Sequence, residues 1–250
     1  MKMEKKLTAR IELPYFMYDC QNRLKPEAFM DIAQELAING SEHLHAHERD
    51  LRPHNLAWVL ARMDVRYVRQ HMRSLNHEKV SLETWHKGLN GLYFIRDFRL
   101  LGPDGEVDVL GTSSWVILNI AERRLVRADG LTDLMDFTPQ NTEDAIAEPA
   151  PKLTIPRGVE PKLARTHEVR FMDLDHNGHV NNVRYTVWSM DTLPLEVIRD
   201  HNVREISINF NKEATLGAQI ELWYAEHDGA HYIEGKSGGQ QNFIFRLTTD

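Results

Sequence analysis

Residues 171–182 read FMDLDHNGHVNN, and the fold turns on whether they form a calcium loop between two helices or a link from a strand into a helix. Asp173, Asp175, Asn177 and Gly178 fill the first, third, fifth and sixth places of the EF-hand pattern. The twelfth place, which must supply a bidentate Glu, is Arg184, and a guanidinium offers only donors. The preceding THEVRF alternates polar and apolar residues as a strand does, where an EF-hand needs a helix. No second such loop is present to pair with it. The stretch therefore reads as a loop from strand to helix.

Outward from this loop, ARTHEVRFM (164–172) is predicted to be a strand and NNVRYTVWSMDTLPLEVIRD (181–200) a helix that Pro194 kinks or splits. Four strands follow: VREISINFN, AQIELWYAEH, HYIEGKSG and QNFIFRLT, with DGA and GGQ as turns. The first half repeats this order. ARIELPYFMY (9–18) reads as a strand and KPEAFMDIAQELAINGSEHL (25–44) as a helix, with Pro26 in its first turn and a stripe of Phe29, Ile32, Ala33, Leu36 and Ala37. LAWVLARMDVRYV, EKVSLETWHKG, LYFIRDFRLL and, after the turn GPDG, EVDVLGTSSWVILNI complete it. Strand, helix, then four strands is the hotdog arrangement, an antiparallel sheet wrapped around one long helix. The fold class predicted is α+β, a double hotdog with modules at 1–130 and 164–250. Between them runs a linker, 131–163, holding Pro139, Pro149, Pro151, Pro156 and Pro161.

The 250 residues are enough for such a pair, and 42% hydrophobic with 27% charged residues is ordinary for a globular protein. A net charge of −7 argues against nucleic acid or an anionic membrane as partner. No apolar run approaches the ~18 residues of a transmembrane helix. MKMEKKLTAR lacks the apolar region of a signal peptide and the single Cys20 fits a reducing compartment, so a cytoplasmic location is expected. Cys20, without a local signature, reads as inert.

The chemistry gathers in the opening loop. Asp175 offers a carboxylate, His179 a donor or acceptor near neutral pH, and Asn177 an amide to orient either. The start of the following helix presents N–H groups and a positive dipole end, a place to hold an acyl carbonyl as it becomes an oxyanion. Asp173, Asn181 and Asn182 read instead as cap and turn residues.

The run Asp175-x-Asn177-x-His179-Val180-Asn181-Asn182, the aromatic helix VRYTVWSMD after it and the later NFNKEA resemble the acyl-acyl carrier protein (acyl-ACP) thioesterases. AWVLARMDVRY, VSLETWHKG, FIRDFRLL and TSSWVILNIAERRLVR resemble the family's N-terminal hotdog, so the likeness covers nearly the whole chain. It implies hydrolysis of fatty acyl-ACP, with acyl carrier protein as partner and no cofactor or metal. The same chemistry on acyl-CoA and a non-catalytic acyl-binding double hotdog are the alternatives. It also makes Glu213 catalytic beside Asp175, Asn177 and His179. Ala214 stands where the family has Cys, so no thiol acts there. Asp175 either attacks the carbonyl or a carboxylate activates water. Strict alternation puts Glu213 on the face of Glu205, Ser207, Asn209 and Asn211, so a bulge or strand end must re-aim it.

YFMYDCQNRLKPE in the first half keeps Asp19 but no His-x-Asn-Asn, which predicts one active site per chain and an acyl-chain pocket in the first module. Phe29, Trp58, Leu60 and Met63 are its candidate walls, or plain core. His43, His45 and His47 read as a solvated helix end rather than a metal site. Arg62, Arg66, Arg69, Arg73 and Arg184 are candidate contacts for an acidic carrier, or scattered surface charges. Monomer and homodimer both remain open.

Overall fold

A computed structural model of the chain describes residues 6–73, 78–136, 138, 139, 141 and 143–250. Contacts divide it into two compact units, Met1–Ala61 with Val68–Ala150, and Arg62–Tyr67 with Pro151–Asp250. Each is a hotdog module.

The first unit begins with β1 (Leu7–Ile11) and a 3-10 turn at Tyr15–Met17, then α1 (Pro26–Gly40) and the short α2 (Glu48–Leu51). β2 (Leu56–Tyr67) gives it residues 56–61, and β3 (Val80–Asn90), β4 (Tyr93–Leu101), β5 (Val107–Asn119) and β6 (Arg124–Val126) complete it. The strands run antiparallel in the order β1-β3-β4-β5, with β6 on β5. Pro26 opens α1, where its missing N–H costs no hydrogen bond. Phe29, Ala33, Leu36 and Ala37 form its buried stripe, packed on β1 and β3. At its end the buried Arg96 guanidinium lies so close that a Cβ on Gly40 would come within 2.6 Å of Nη1. Burial pushes the Arg96 pKa down to about 10, and the negative end of the helix dipole favours a cation there.

The second unit contains β7 (Lys162–Glu168), a 3-10 turn at Phe171–Asp173, α3 (Asn182–Met190), α4 (Leu195–Asp200), β8 (Val203–Phe210), β9 (Gln219–His227), β10 (Ala230–Ser237) and β11 (Gln240–Thr249). Its order is β8-β11-β10-β9-β7, all antiparallel, with Arg62–Arg66 of β2 paired on β8. Pro194 splits the helix as the sequence predicts: it is the N-cap of α4. Asp228–Gly229 and Gly238–Gly239, all with positive φ, make the two tight hairpin turns.

Two strand predictions are corrected at matching places. Strands expected at 9–18 and 164–172 stop at Ile11 and Glu168 and give way to the 3-10 turns. Tyr15, Phe16, Phe171 and Met172 suggest strand by residue type, yet they are 63%, 73%, 75% and 84% exposed, so no sheet face receives them. The sequence also gave no sign of α2 or β6. His47 caps α2, accepting from Arg49 N–H, while the side chain of His43 lies outside the described residues.

Part of the linker is tied down in each unit. In the first, the buried Trp85 donates to the Glu143 carbonyl at 2.9 Å and Ala145 N–H to buried Asp97 at 2.7 Å. In the second, buried Asn209 donates to the Pro151 carbonyl at 2.8 Å and accepts from Leu153 N–H at 2.7 Å.

Candidate active site

The loop between β7 and α3 is built around Asp173. Its carboxylate, 3% exposed, accepts from Arg170 N–H at 2.9 Å, faces His167 Nε2 at 2.9 Å and accepts from Arg184 Nε at 3.0 Å. Burial alone would raise its pKa, but these partners outweigh it and hold the group below the ordinary carboxylate range. The residue that fills the first calcium position is thus a buried anchor. Its ion partner is Arg184, the residue that rules calcium out.

On this anchor the loop folds back. Asp175 N–H donates to the His179 carbonyl at 2.7 Å, and Asp175 Oδ1 accepts from Asn177 N–H at 2.8 Å and His179 N–H at 3.2 Å. Gly178, with φ of +78°, makes the reversal. Asp175 is half-buried and Asn177 exposed. Asn181 then caps α3, accepting from Val183 N–H at 3.0 Å, and the Asn181 carbonyl takes Arg184 N–H. Two first-turn donors of α3 are therefore used within the protein.

Glu213 reaches the loop because β8 ends before it. Asn211 and Lys212 both donate their N–H groups to the Asn242 carbonyl, at 2.8 and 3.0 Å, so two residues answer to one and the alternation changes phase. Val180 N–H then bonds the Ala214 carbonyl at 2.9 Å, and His179 pairs with Thr215. His179 Nε2 lies 3.4 Å from Glu213 Oε2, both side chains partly open to solvent. Four predicted residues thus share one loop and the segment bridged to it. The direct side-chain contact is the His179–Glu213 pair.

Tyr185 and Asn242 belong to this region and carried no sequence signal. Tyr185 is buried on α3, its ring 4.8 Å from Phe243 and 5.3 Å from Trp188. Burial pushes its phenol well above the ordinary value; the Ala214 backbone opposes this in part, and the carboxylates of Glu213 and Asp175 add smaller upward pushes. The site therefore has a neutral hydroxyl beneath it at physiological pH.

The matching loop of the first unit has the same backbone and different chemistry. Asp19 Oδ1 accepts from Gln21 N–H at 2.8 Å and Arg23 N–H at 2.9 Å, and Leu24 N–H bonds the His71 carbonyl at 2.9 Å. Arg23 thus stands where His179 does, pairing with Met72 as His179 pairs with Thr215, and Gln70 takes the place of Glu213. Arg23 Nε closes on Asp19 Oδ2 at 2.8 Å.

The arginine run is largely committed to intramolecular partners. Arg66 pairs with Asp64 at 3.2 Å, Arg69 with Asp104 at 2.7 Å and with Asp108, and Arg73 donates to Asn22 at 2.9 Å. Of the candidate pocket walls, Phe29 and Leu60 are buried in the first unit, and Trp58 packs edge-on to Phe94 at 4.9 Å. Met63, also buried, falls in the second unit.

Residues 4–133 match the family model of the acyl-ACP thioesterase N-terminal domain, and residues 158–247 that of the acyl-ACP thioesterase C-terminal domain. The chain is 30% identical over 208 residues to oleoyl-acyl carrier protein thioesterase 2, chloroplastic, of Arabidopsis thaliana, covering 75% of this chain and 54% of that protein. To a palmitoyl-acyl carrier protein thioesterase, chloroplastic, of Cuphea hookeriana it is 28% identical over 243 residues, covering 88% and 54%. It spans about half the length of these plant relatives. Its fold matches the crystal structure of an acyl-ACP thioesterase from Bacteroides thetaiotaomicron, with a TM-score of 0.82, 20% identity and full coverage of both chains. The 12:0-ACP thioesterase of Umbellularia californica gives 0.78 and 19%, over 98% of this chain and 97% of that one.

Proposed function

The chain belongs to the acyl-ACP thioesterase family, and from that membership we propose that it hydrolyses fatty acyl-ACP to free fatty acid and ACP. The observation that carries the site assignment is the His179–Glu213 contact beside the Asp175 loop, within the part matched to the C-terminal domain.

In this reading Glu213 takes a proton from water as the water oxygen attacks the thioester carbonyl. The tetrahedral oxyanion collapses, the carbon–sulfur bond breaks, and the departing thiolate receives the proton. His179 holds Glu213 and Asn177 orients the acyl group. Asp175, fixed through Oδ1, keeps Oδ2 for the reaction. The alternative keeps the same residues and makes Asp175 the nucleophile, giving a mixed anhydride that water opens.

The first module, 1–130, is assigned the acyl-chain pocket, 131–163 the linker and 164–250 the chemistry. A cytoplasmic location is proposed on the single cysteine, which suits a reducing compartment.

The test is hydrolysis across an acyl-ACP series, with the same acyl chains on CoA as comparison. Asp175→Ala and Glu213→Ala are each expected to lower kcat by at least about 10²-fold. Full activity in both removes the site assignment. Turnover of acyl-CoA in preference to acyl-ACP makes CoA the carrier, and bound fatty acid without turnover makes the chain a binding protein.

A further inference from the structure

Asn242 faces the backbone that runs from the end of β8 to Glu213. In the ladder between β10 and β11, Gly235 pairs with Phe243 and Lys236 with Gln241, so Asn242 is the extra residue of a bulge. It directly precedes the apolar run Phe243–Phe245 of β11 and is 0% exposed, and a buried amide must be satisfied by specific partners. Its Oδ1 accepts from Ser237 Oγ at 2.7 Å, which fixes the amide's orientation. Nδ2 therefore points the other way, toward the carbonyls of Lys212 at 3.3 Å and Glu213 at 3.4 Å. The Asn242 carbonyl takes the N–H groups of Asn211 and Lys212. One residue thus contacts the backbone of all three positions from the end of β8 to the proposed base.

We propose that Asn242 is a positioning residue for the reaction: seated in the β11 bulge and oriented by Ser237, it sets the backbone that carries Glu213 to His179. The inference rests on the reading of Glu213 as the group that prepares water. The bulge moves the chain out of the alternation that would turn Glu213 to the other sheet face, and the amide fixes it there. Any side chain supplies the carbonyl. Only the amide adds the second pair of contacts, so loss of the amide loosens the base and leaves the fold.

Asn242→Ala is expected to lower kcat by roughly ten- to a hundredfold, the cost of a small misplacement of a reacting group, with KM for acyl-ACP unchanged. In a Glu213→Gln background, where the base is already gone, the same substitution should cost nothing further. Should Asn242→Ala fail to fold, Ser237→Ala frees Oδ1 while keeping both Nδ2 donors, and a smaller loss of kcat at constant KM is expected. A wild-type kcat in Asn242→Ala, a loss that falls on KM instead of kcat, or losses that multiply with Glu213→Gln, overturns the proposal. If Glu213→Gln alone keeps full activity, the assignment of the base has failed, and that is visible without Asn242.

Discussion

Asp173 accepts three hydrogen bonds inside the loop that carries Asp175, and its carboxylate is almost fully enclosed. A carboxylate whose folded-state pKa lies below its unfolded value stabilises the fold at every pH above the unfolded value, near 3.9, and loses that contribution as pH falls through the folded-state pKa. Asp173→Asn keeps the shape and removes the charge from the bond to Arg184. Urea unfolding near pH 7 is expected to show a loss of about 1–3 kcal/mol. The gap between the two proteins should close as pH is lowered below about 4, where the wild-type carboxylate takes up its proton. A gap that is constant with pH would mean that shape, not charge, holds the loop. The sequence set Asp173 apart from Asp175 as a cap or turn residue, without showing that one is enclosed and the other partly open. Burial separates them, and burial is a property of the packed loop that no short pattern encodes.

The elements were legible where residue type and environment agree. Pro26 and the stripe of α1, the split at Pro194 and the glycine turns all follow local rules. Phe171 and Met172 misled because strand preference describes a half-buried side chain, and these two stand in solvent. The resemblance could name Glu213 but alternation could not place it beside His179, since the bulge that re-aims it depends on the pairing of β8 with β11 and of β11 with β10. The same corner of the sheet makes a prediction of its own. Gly235 lies under the ring of Phe243, where an added Cβ would meet a ring carbon at 2.0 Å, and Phe243 in turn packs on Tyr185. The ring is fully buried and has no free direction to move. Gly235→Ala should cost at least about 1–3 kcal/mol of stability in thermal or urea unfolding. An unchanged midpoint would show that the β10–β11 corner yields where the packing says it cannot.

At the scale of the whole molecule, two units share one loop design and differ there in the side chains it carries. Asp19 and Asp175 each accept two N–H groups of the turn they begin, and Leu24 and Val180 each bond across to a neighbouring carbonyl. The scaffold is therefore not what makes a site. In the first unit Arg23 occupies the place of His179, and its guanidinium pairs with Asp19 and fixes that carboxylate. Gln70, in the place of Glu213, has no charge with which to take a proton from water. The Arg23 guanidinium also offers donors only, and they are turned to Asp19. Asp19→Asn should then leave turnover of acyl-ACP per chain unchanged, although loss of the Arg23 ion pair and a weaker turn cost about 1 kcal/mol in unfolding. Asp175→Asn, the same change in the same turn, should remove turnover at a comparable cost in stability. Steady-state rates and melting curves of the two variants side by side decide the matter. A loss of activity in Asp19→Asn at an intact melting point would mean that the first unit takes part in the chemistry.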